Sequence, residues 1–253
     1  MHLYYLNLDR RPDRNRAFIA RLPPGVTARK CWTPDWRDRQ WPEIENNPYY
    51  TPCTAAQHTA SRAIWEMIAK RCTWGTIAAD DVVLRHDFAT QAHARMEELP
   101  LDWDIVFWGI TLQCGAVYQL WPGGPYVQTR TQTMTELPDE QAFRESRAET
   151  NLHHVVSGWN TECYSLSPKG ARHLLKYAWP IQFHNGHCPG VEKPFAIYGL
   201  DALLAALLGG MSAWLCWPPI AHHPLDKADS NMDEVTPEVS HWAQLENYAT
   251  DGI

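Results

Sequence analysis

The stretch "GTIAADDVVL" at residues 75–84 sets two carboxylates, Asp80 and Asp81, at the end of a small, apolar run that reads as a buried strand. Like charges side by side repel, so a pair in this position needs a reason. In open α/β sheets, ligands bind beyond the carboxyl ends of strands. The opening "YYLNLDRR" has the same form: an apolar run, then Asn7, Asp9 and Arg10, with Arg14 a turn later. Carboxylates alone cannot hold an anionic diphosphate. A divalent Mg²⁺ or Mn²⁺ reconciles the two, because it takes hard oxygen ligands from carboxylate and phosphate together. The bland alternative is that the Asp pair is a polar strand end or caps a turn.

Three further segments carry side chains capable of chemistry. "PPIAHHP" offers His222 and His223 after a strand. Adjacent residues of an extended chain point to opposite faces, so at most one of the two can serve a given site. "YGLDALLAALL" places Asp201 in the first turn of an otherwise apolar helix, where a carboxylate also complements the helix dipole. Glu192, in the Gly-, Pro- and His-rich "FHNGHCPGVEK", is a reserve carboxylate in what reads as a loop.

These residues need a scaffold. "HLYYLNL" predicts a strand, and "DRRPDRNRAFIARL" a turn and a helix, with Pro12 suited to its first turn. Val26 to Cys31 fits a second strand, and 32–52 reads as loop. Thr54 is a candidate cap for a helix reaching Arg71. Asp87 opens another helix, and "WDIVFWG" at 103–109 reads as a central strand buried on both faces. Residues 110–150 carry weaker signals, with short strands near 115–120 and 126–129. "NTECYSLSPKGARHLLKYA" restores order as a strand, a Ser167 cap and a helix. Alternating strands and helices predict an α/β fold, a mostly parallel central sheet flanked by helices. The expected organisation is a single domain over 1–222, with an acidic tail, 223–253, packing on it or extending from it.

Length and composition agree with that reading. The chain has 253 residues, 45% hydrophobic and 20% charged, which excludes a disordered chain. Its net charge of −7 disfavours a polynucleotide partner. Residues 1–30 are nevertheless basic, with seven Lys and Arg against Asp9 and Asp13. The seven Cys are widely spaced with no CxxC, which fits reduced thiols rather than a disulfide frame or a zinc site. No signal peptide is read at the N-terminus. The twenty residues from Ala202 to Ala221 carry no charge, but Gly209-Gly210 and Pro218-Pro219 interrupt them. A helix and a short buried strand explain them better than a membrane span. The expected location is cytoplasmic, or peripheral to a membrane.

Four segments in order give the chain a resemblance to a known family. "YYLNLDRRPDR" at 4–14, "QHTASRAIWEMI" at 57–68, "IAADDVVLRHDF" at 77–88 and "CYSLSPKGARHLL" at 163–175 resemble the motifs of glycosyltransferase family 25. These are lipooligosaccharide and procollagen sugar transferases of GT-A fold. Three positions depart from the family pattern: Ala79 stands where an acid precedes the Asp pair, Gln57 replaces the Ser of a Ser-His pair, and Cys53 is one residue early.

The resemblance implies a metal-dependent, inverting transferase that moves a sugar from a nucleotide sugar, UDP-sugar foremost, to a hydroxyl of a glycan or lipid-linked saccharide. It implies that Asn7, Asp9 and Arg10 lie near the nucleoside and Arg14 near phosphate. Asp81 is the leading metal ligand, Asp80 contacts ribose or shares the metal, and one of His222 and His223 adds a ligand. Asp201 takes the position of the catalytic base, with Glu192 in reserve. Two alternatives stand beside it: a viral-type transferase acting on a hydroxymethylated DNA base, and a non-catalytic module that binds sugar nucleotides or glycans.

Overall fold

Short apolar runs such as "GTIAA", "IVF" and "CYSL" form the central strands of the chain, with helices packed on either face. A computed structural model describes residues 1–45, 49–109, 116–120, 123–129, 139–159, 161–181, 185–187, 189 and 194–223. The strands are β1 (His2–Leu6), β2 (Thr27–Cys31), β3 (Gly75–Ala79), β4 (Val83–Leu84), β5 (Ile105–Phe107), β6 (Ala116–Gln119), β7 (Tyr126–Thr129), β8 (Asn151–Gly158), β9 (Cys163–Leu166), β10 (Asn185–Gly186), β11 (Phe195–Ala196), β12 (Ala213–Trp217) and β13 (Ala221–His222). The helices are α1 (Pro12–Ala20), α2 (Pro52–Arg71), α3 (Phe88–Glu97), α4 (Glu140–Glu145), α5 (Pro168–Tyr177) and α6 (Leu200–Leu207).

Nine strands form one sheet in the order β2-β1-β3-β9-β5-β12-β8-β6-β7. The pairs β1–β2, β1–β3 and β5–β12 are parallel. β9 enters the middle antiparallel to both neighbours, and β8 and β7 also run against their neighbours. The sheet is therefore mixed, although β1, β2, β3, β5, β6 and β12 share one direction. Their carboxyl ends make one edge of the sheet, and Asp80 and Asp81 lie on it.

Alternation along the strands builds a core on each face. Tyr4, Ile77, Ile105, Phe107 and Leu215 pack against α2, α5 and α6. Leu3, Tyr5, Ala78, Val106 and Trp108 pack against α1 and α3. Caps fix where the helices begin. Thr51, not Thr54, is the N-cap of α2: its side chain accepts from Thr54 N, and the Thr54 hydroxyl accepts from Thr51 N in return. Pro52 at the first helical position favours that start. The predicted Ser167 cap of α5 forms as expected, accepting from Gly170 N at 3.0 Å. The strand β8 was not anticipated, because its first half, "NLHH", lacks an apolar alternation. Its pairing with β12 and β6 supplies what the pattern does not.

The uncharged stretch from Ala202 resolves into α6, a short 3₁₀ turn and β12. Among the described residues, no helix is long and apolar enough to cross a membrane.

Candidate functional site at the carboxyl edge of the sheet

Asp80 and Asp81 leave β3 beside the loop that follows β1. Asn7 Nδ2 donates to Asp80 Oδ2 at 2.6 Å and to the Arg11 carbonyl at 3.1 Å, tying the two strand ends together. Arg14 comes from the first turn of α1. It is buried, shares a helix face with buried Phe18 four residues on, and points its guanidinium at the edge. One guanidinium nitrogen lies 2.9 Å from Asp80 Oδ1 and also bonds Asp81 Oδ2. The basic N-terminal segment is thus partly internal: its Arg14 bridges both carboxylates.

The last element brings the histidine. Ile220 N and Ala221 N both donate to the Trp108 carbonyl, at 2.9 and 3.0 Å, laying the chain across the end of β5. Gly109 permits this approach, since a Cβ there would stand 2.2 Å from the Ala221 carbonyl oxygen. β13 then pairs with β4, His222 opposite Val83. Alternation separates the two imidazoles. His223 Nε2 reaches Asp81 Oδ2 at 3.2 Å, whereas His222 is buried against the Phe143 ring, centroids 5.3 Å apart. His223 thus packs against the domain; residues 224–253 of the expected tail lie outside the described residues.

Charge balance governs the cluster. Burial pushes the Asp80 carboxyl up, and although Arg14 opposes that shift, the neighbouring Asp81 adds to it, raising the group to about 6. Burial also acts to raise Asp81, but the hydrogen bond and charge of His223, with Arg14, hold it well below the usual carboxylate range. Burial acts to lower His223, and the bond to Asp81 and the charges of Asp81 and Glu162 outweigh it, raising the imidazole to about 9. Arg14 and protonated His223 thus balance the two carboxylates. A raised imidazole stabilises the fold fully below its unfolded value of about 6.5 and loses that contribution as pH rises through the folded value. The melting temperature of the protein without added metal is therefore expected to fall between pH 6.5 and about 9. His223→Gln should flatten that decline in a thermal-melt series, and an unchanged slope would remove the ion pair as its cause.

A cleft of about 530 Å³ opens beyond the carboxyl ends of β1 and β2, lined by Asp9, Arg10, Trp32, Pro34, Asp35, Arg37 and others. Arg10 sits there with its Nε 2.9 Å from Asp35, and Arg37 holds the same carboxylate at 2.8 Å. Asp9 is on the rim, paired with Lys30 at 2.6 Å. Trp32 is 66% exposed, an unusual state for an indole, and offers a flat apolar face to the cleft. Sequence reasoning missed it, because one of thirteen Trp carries no signal until β2 is seen to end there.

Asp201 lies at the start of α6, beside the head of α2. Its Oδ1 accepts from Ala202 N at 2.8 Å, at the start of α6. The preceding Gly199 packs beside Thr54 at the head of α2. Burial drives the Tyr50 hydroxyl up, and the Asp201 charge adds to that shift, so the two side chains are neighbours. His58, on α2, is fully buried between Tyr50, Trp65 and Trp179, and burial lowers it to about 3. It is a neutral packing residue. Glu192 lies outside the described residues.

The cluster has room in its chemistry for a cation. Asn7 Oδ1 and Asp81 Oδ1 are buried acceptors without a hydrogen-bond partner, which is costly unless something fills the place. Mg²⁺ is commonly held by one or two carboxylates plus substrate phosphates, and Asp81 with Asp80 matches that donor set. Among the described residues, no group of three or more His, Cys, Asp and Glu is arranged to hold a metal unaided. Phosphate oxygens would have to complete the shell.

An acid that the sequence did not single out bears on Ala79. The register pairing Ala78 with Cys163 puts Ala79 opposite Glu162, whose carbonyl accepts from Ala79 N at 2.8 Å. Its carboxylate acts on His223. Opposed residues of antiparallel strands share a face, so the residue just before β9 supplies an acid where β3 has none. Ala79→Glu would set like charges opposite each other and is expected to destabilise by roughly 0.2–1 kcal/mol. Combining it with Glu162→Ala should recover the loss in a urea titration; equal stability of the single and double variants would show no coupling. Comparison with models of known protein families and with curated proteins finds no match to this chain.

Proposed function

We propose that the protein is a metal-dependent, inverting glycosyltransferase of GT-A type. It moves a sugar from a nucleotide sugar, a UDP-sugar as first choice, to a hydroxyl of a glycan or lipid-linked saccharide. The observation that carries this reading is the carboxylate pair at a strand end, with orphaned oxygens on Asn7 and Asp81, next to a nucleotide-sized cleft. The family resemblance of the four segments supports it.

In this reading the cleft takes the nucleoside, with Trp32 against the base and Arg10 beside it. Arg14 and His223 face the diphosphate end. Asp81 and Asp80 would hold Mn²⁺ or Mg²⁺, which when bound supplies positive charge against the departing diphosphate. A neutral cluster accepts a dication and a diphosphate together without building net charge. Asp201 takes the proton from the acceptor hydroxyl as its oxygen bonds the anomeric carbon and the bond from that carbon to the phosphate oxygen breaks. A non-catalytic module would be suggested by Ala79 standing where the family pattern has an acid, and Glu162, opposite Ala79, weakens that motive.

The test is a panel of nucleotide sugars scored by thermal stabilisation with and without Mn²⁺. A ligand at about 100 times its Kd stabilises by about 2.7 kcal/mol, which a melt detects readily. Stabilisation by a UDP-sugar that requires the metal supports the proposal. No stabilisation by any nucleotide sugar in either condition overturns it.

A further inference from the structure

We propose that the sheet face formed by Trp217, Asn151, His153, Tyr118 and Val127 is the docking site for a neutral oligosaccharide. This inference rests on the transferase reading for its role, as the acceptor subsite, but not for its existence. Register places these residues on one face: Trp217 pairs with Asn151, Leu215 with His153, Ala213 with Val155, Tyr118 with Val155, and Val127 with Tyr118. Toward the middle of the sheet this face is core, where Val155, Ala213 and Leu215 pack with Leu204 and Leu208 of the α6 segment. Toward the carboxyl end of β12 it opens. Trp217 is 37% exposed, Val127 41% exposed, and Asn151 and His153 are exposed. Tyr118 is half-buried, its ring edge-on to His153 with centroids 6.0 Å apart.

Three properties select the occupant. First, the patch crosses four strands, which at 4.7–4.9 Å per strand is roughly 15 Å, wide enough for a short glycan and not for a protein interface of ordinary size. Second, its strand positions carry Trp, Tyr, Val, Leu, Ala, Asn, His and Thr, and no Asp, Glu, Lys or Arg. A nucleic acid or sulfated glycan would call for cations here, and a basic peptide for carboxylates. A neutral saccharide calls for neither. Third, apolar ring faces alternate with amide and imidazole groups. Sugars present the same alternation, a C–H face toward an aromatic ring and hydroxyls toward hydrogen-bonding side chains. The patch lies on the carboxyl edge of the sheet, the edge that carries Asp80 and Asp81, and β12 leads from Trp217 through Ile220 to His223.

The experiment is a calorimetric titration of the full chain, without nucleotide, using lactose, diacetylchitobiose and maltotriose as probes, with a heparin hexasaccharide and a single-stranded DNA 20-mer as charged arms. At least one neutral sugar is expected to bind. Trp217→Ala should weaken it by about tenfold or more, the scale of removing an interface Trp. Trp217→Phe, which keeps a ring, should retain most of the binding, and His153→Ala should weaken it with the indole intact. The inference fails if no neutral sugar binds, if binding survives Trp217→Ala and His153→Ala, or if heparin or DNA binds through these residues instead. Saccharide binding lost in Trp217→Ala, in a protein that no nucleotide sugar stabilises, would uphold this site and overturn the transferase reading. Nucleotide-sugar binding without any saccharide binding would do the reverse.

Discussion

Asp81→Asn is expected to abolish Mn²⁺-dependent stabilisation by UDP while the chain still folds. The side chain bears on three things at once. Its Oδ2 holds Arg14 and His223, its Oδ1 is a buried acceptor with no donor, and it is the more strongly ionised member of the pair. An amide offers one neutral oxygen in place of a charged carboxylate, so a hard cation loses its main protein ligand. Losing an outer-shell partner typically costs 10–100-fold in metal affinity, and loss of a direct ligand should exceed roughly 100-fold. The fold has a separate reason to persist: Arg14 keeps Asp80 at 2.9 Å, so the buried guanidinium retains a counter-ion. His223, without its partner, should return toward an ordinary imidazole value, and the pH dependence of the melt between 6.5 and 9 should shrink with it. Wild-type UDP affinity and metal dependence in this variant would move the site away from the Asp pair.

Much of this edge could be read in advance because local patterns determine it. An apolar strand running into a polar cluster marks the carboxyl end of β3 as well as of β1, and Ser167-Pro168 marks the start of α5. Strand alternation alone said that His222 and His223 must part, and they do, one to Phe143 and one to Asp81. What could not be read depends on contacts distant in sequence. The position of β9 between β3 and β5, antiparallel to both, leaves no trace in an alternation of strands and helices. Glu162 was therefore an anonymous acid until its strand was placed beside Ala79. Trp32 and Trp217 look in sequence like the other indoles; only exposure separates them from core Trp65 and Trp108. The helix start at Thr51 was misread because Thr54 is itself part of the reciprocal cap, and either Thr fits the local preference.

Asp201→Asn should leave donor binding as it is and cut transfer by about 10²–10⁴-fold, the usual loss on removing a general base. The structure gives its rival a concrete form. Gly199 has no side chain to cap α6, and Asp201 instead accepts from Ala202 N at 2.8 Å, so the carboxylate does serve the helix start. That service is worth about 0.3–1 kcal/mol at a surface and is compatible with either role. The two roles diverge in what else they predict. A base meets the acceptor hydroxyl and not the nucleotide, and Asp201 sits at the start of α6 beside Tyr50. Its removal should therefore leave metal-dependent UDP stabilisation intact. An amide still accepts from Ala202 N, so the loss of stability should be small and the loss of turnover large. Measuring the melt, the UDP-induced shift and the transfer rate on one preparation decides between them. Lower stability with unchanged transfer would make Asp201 a helix-dipole partner alone and leave the proton to another carboxylate.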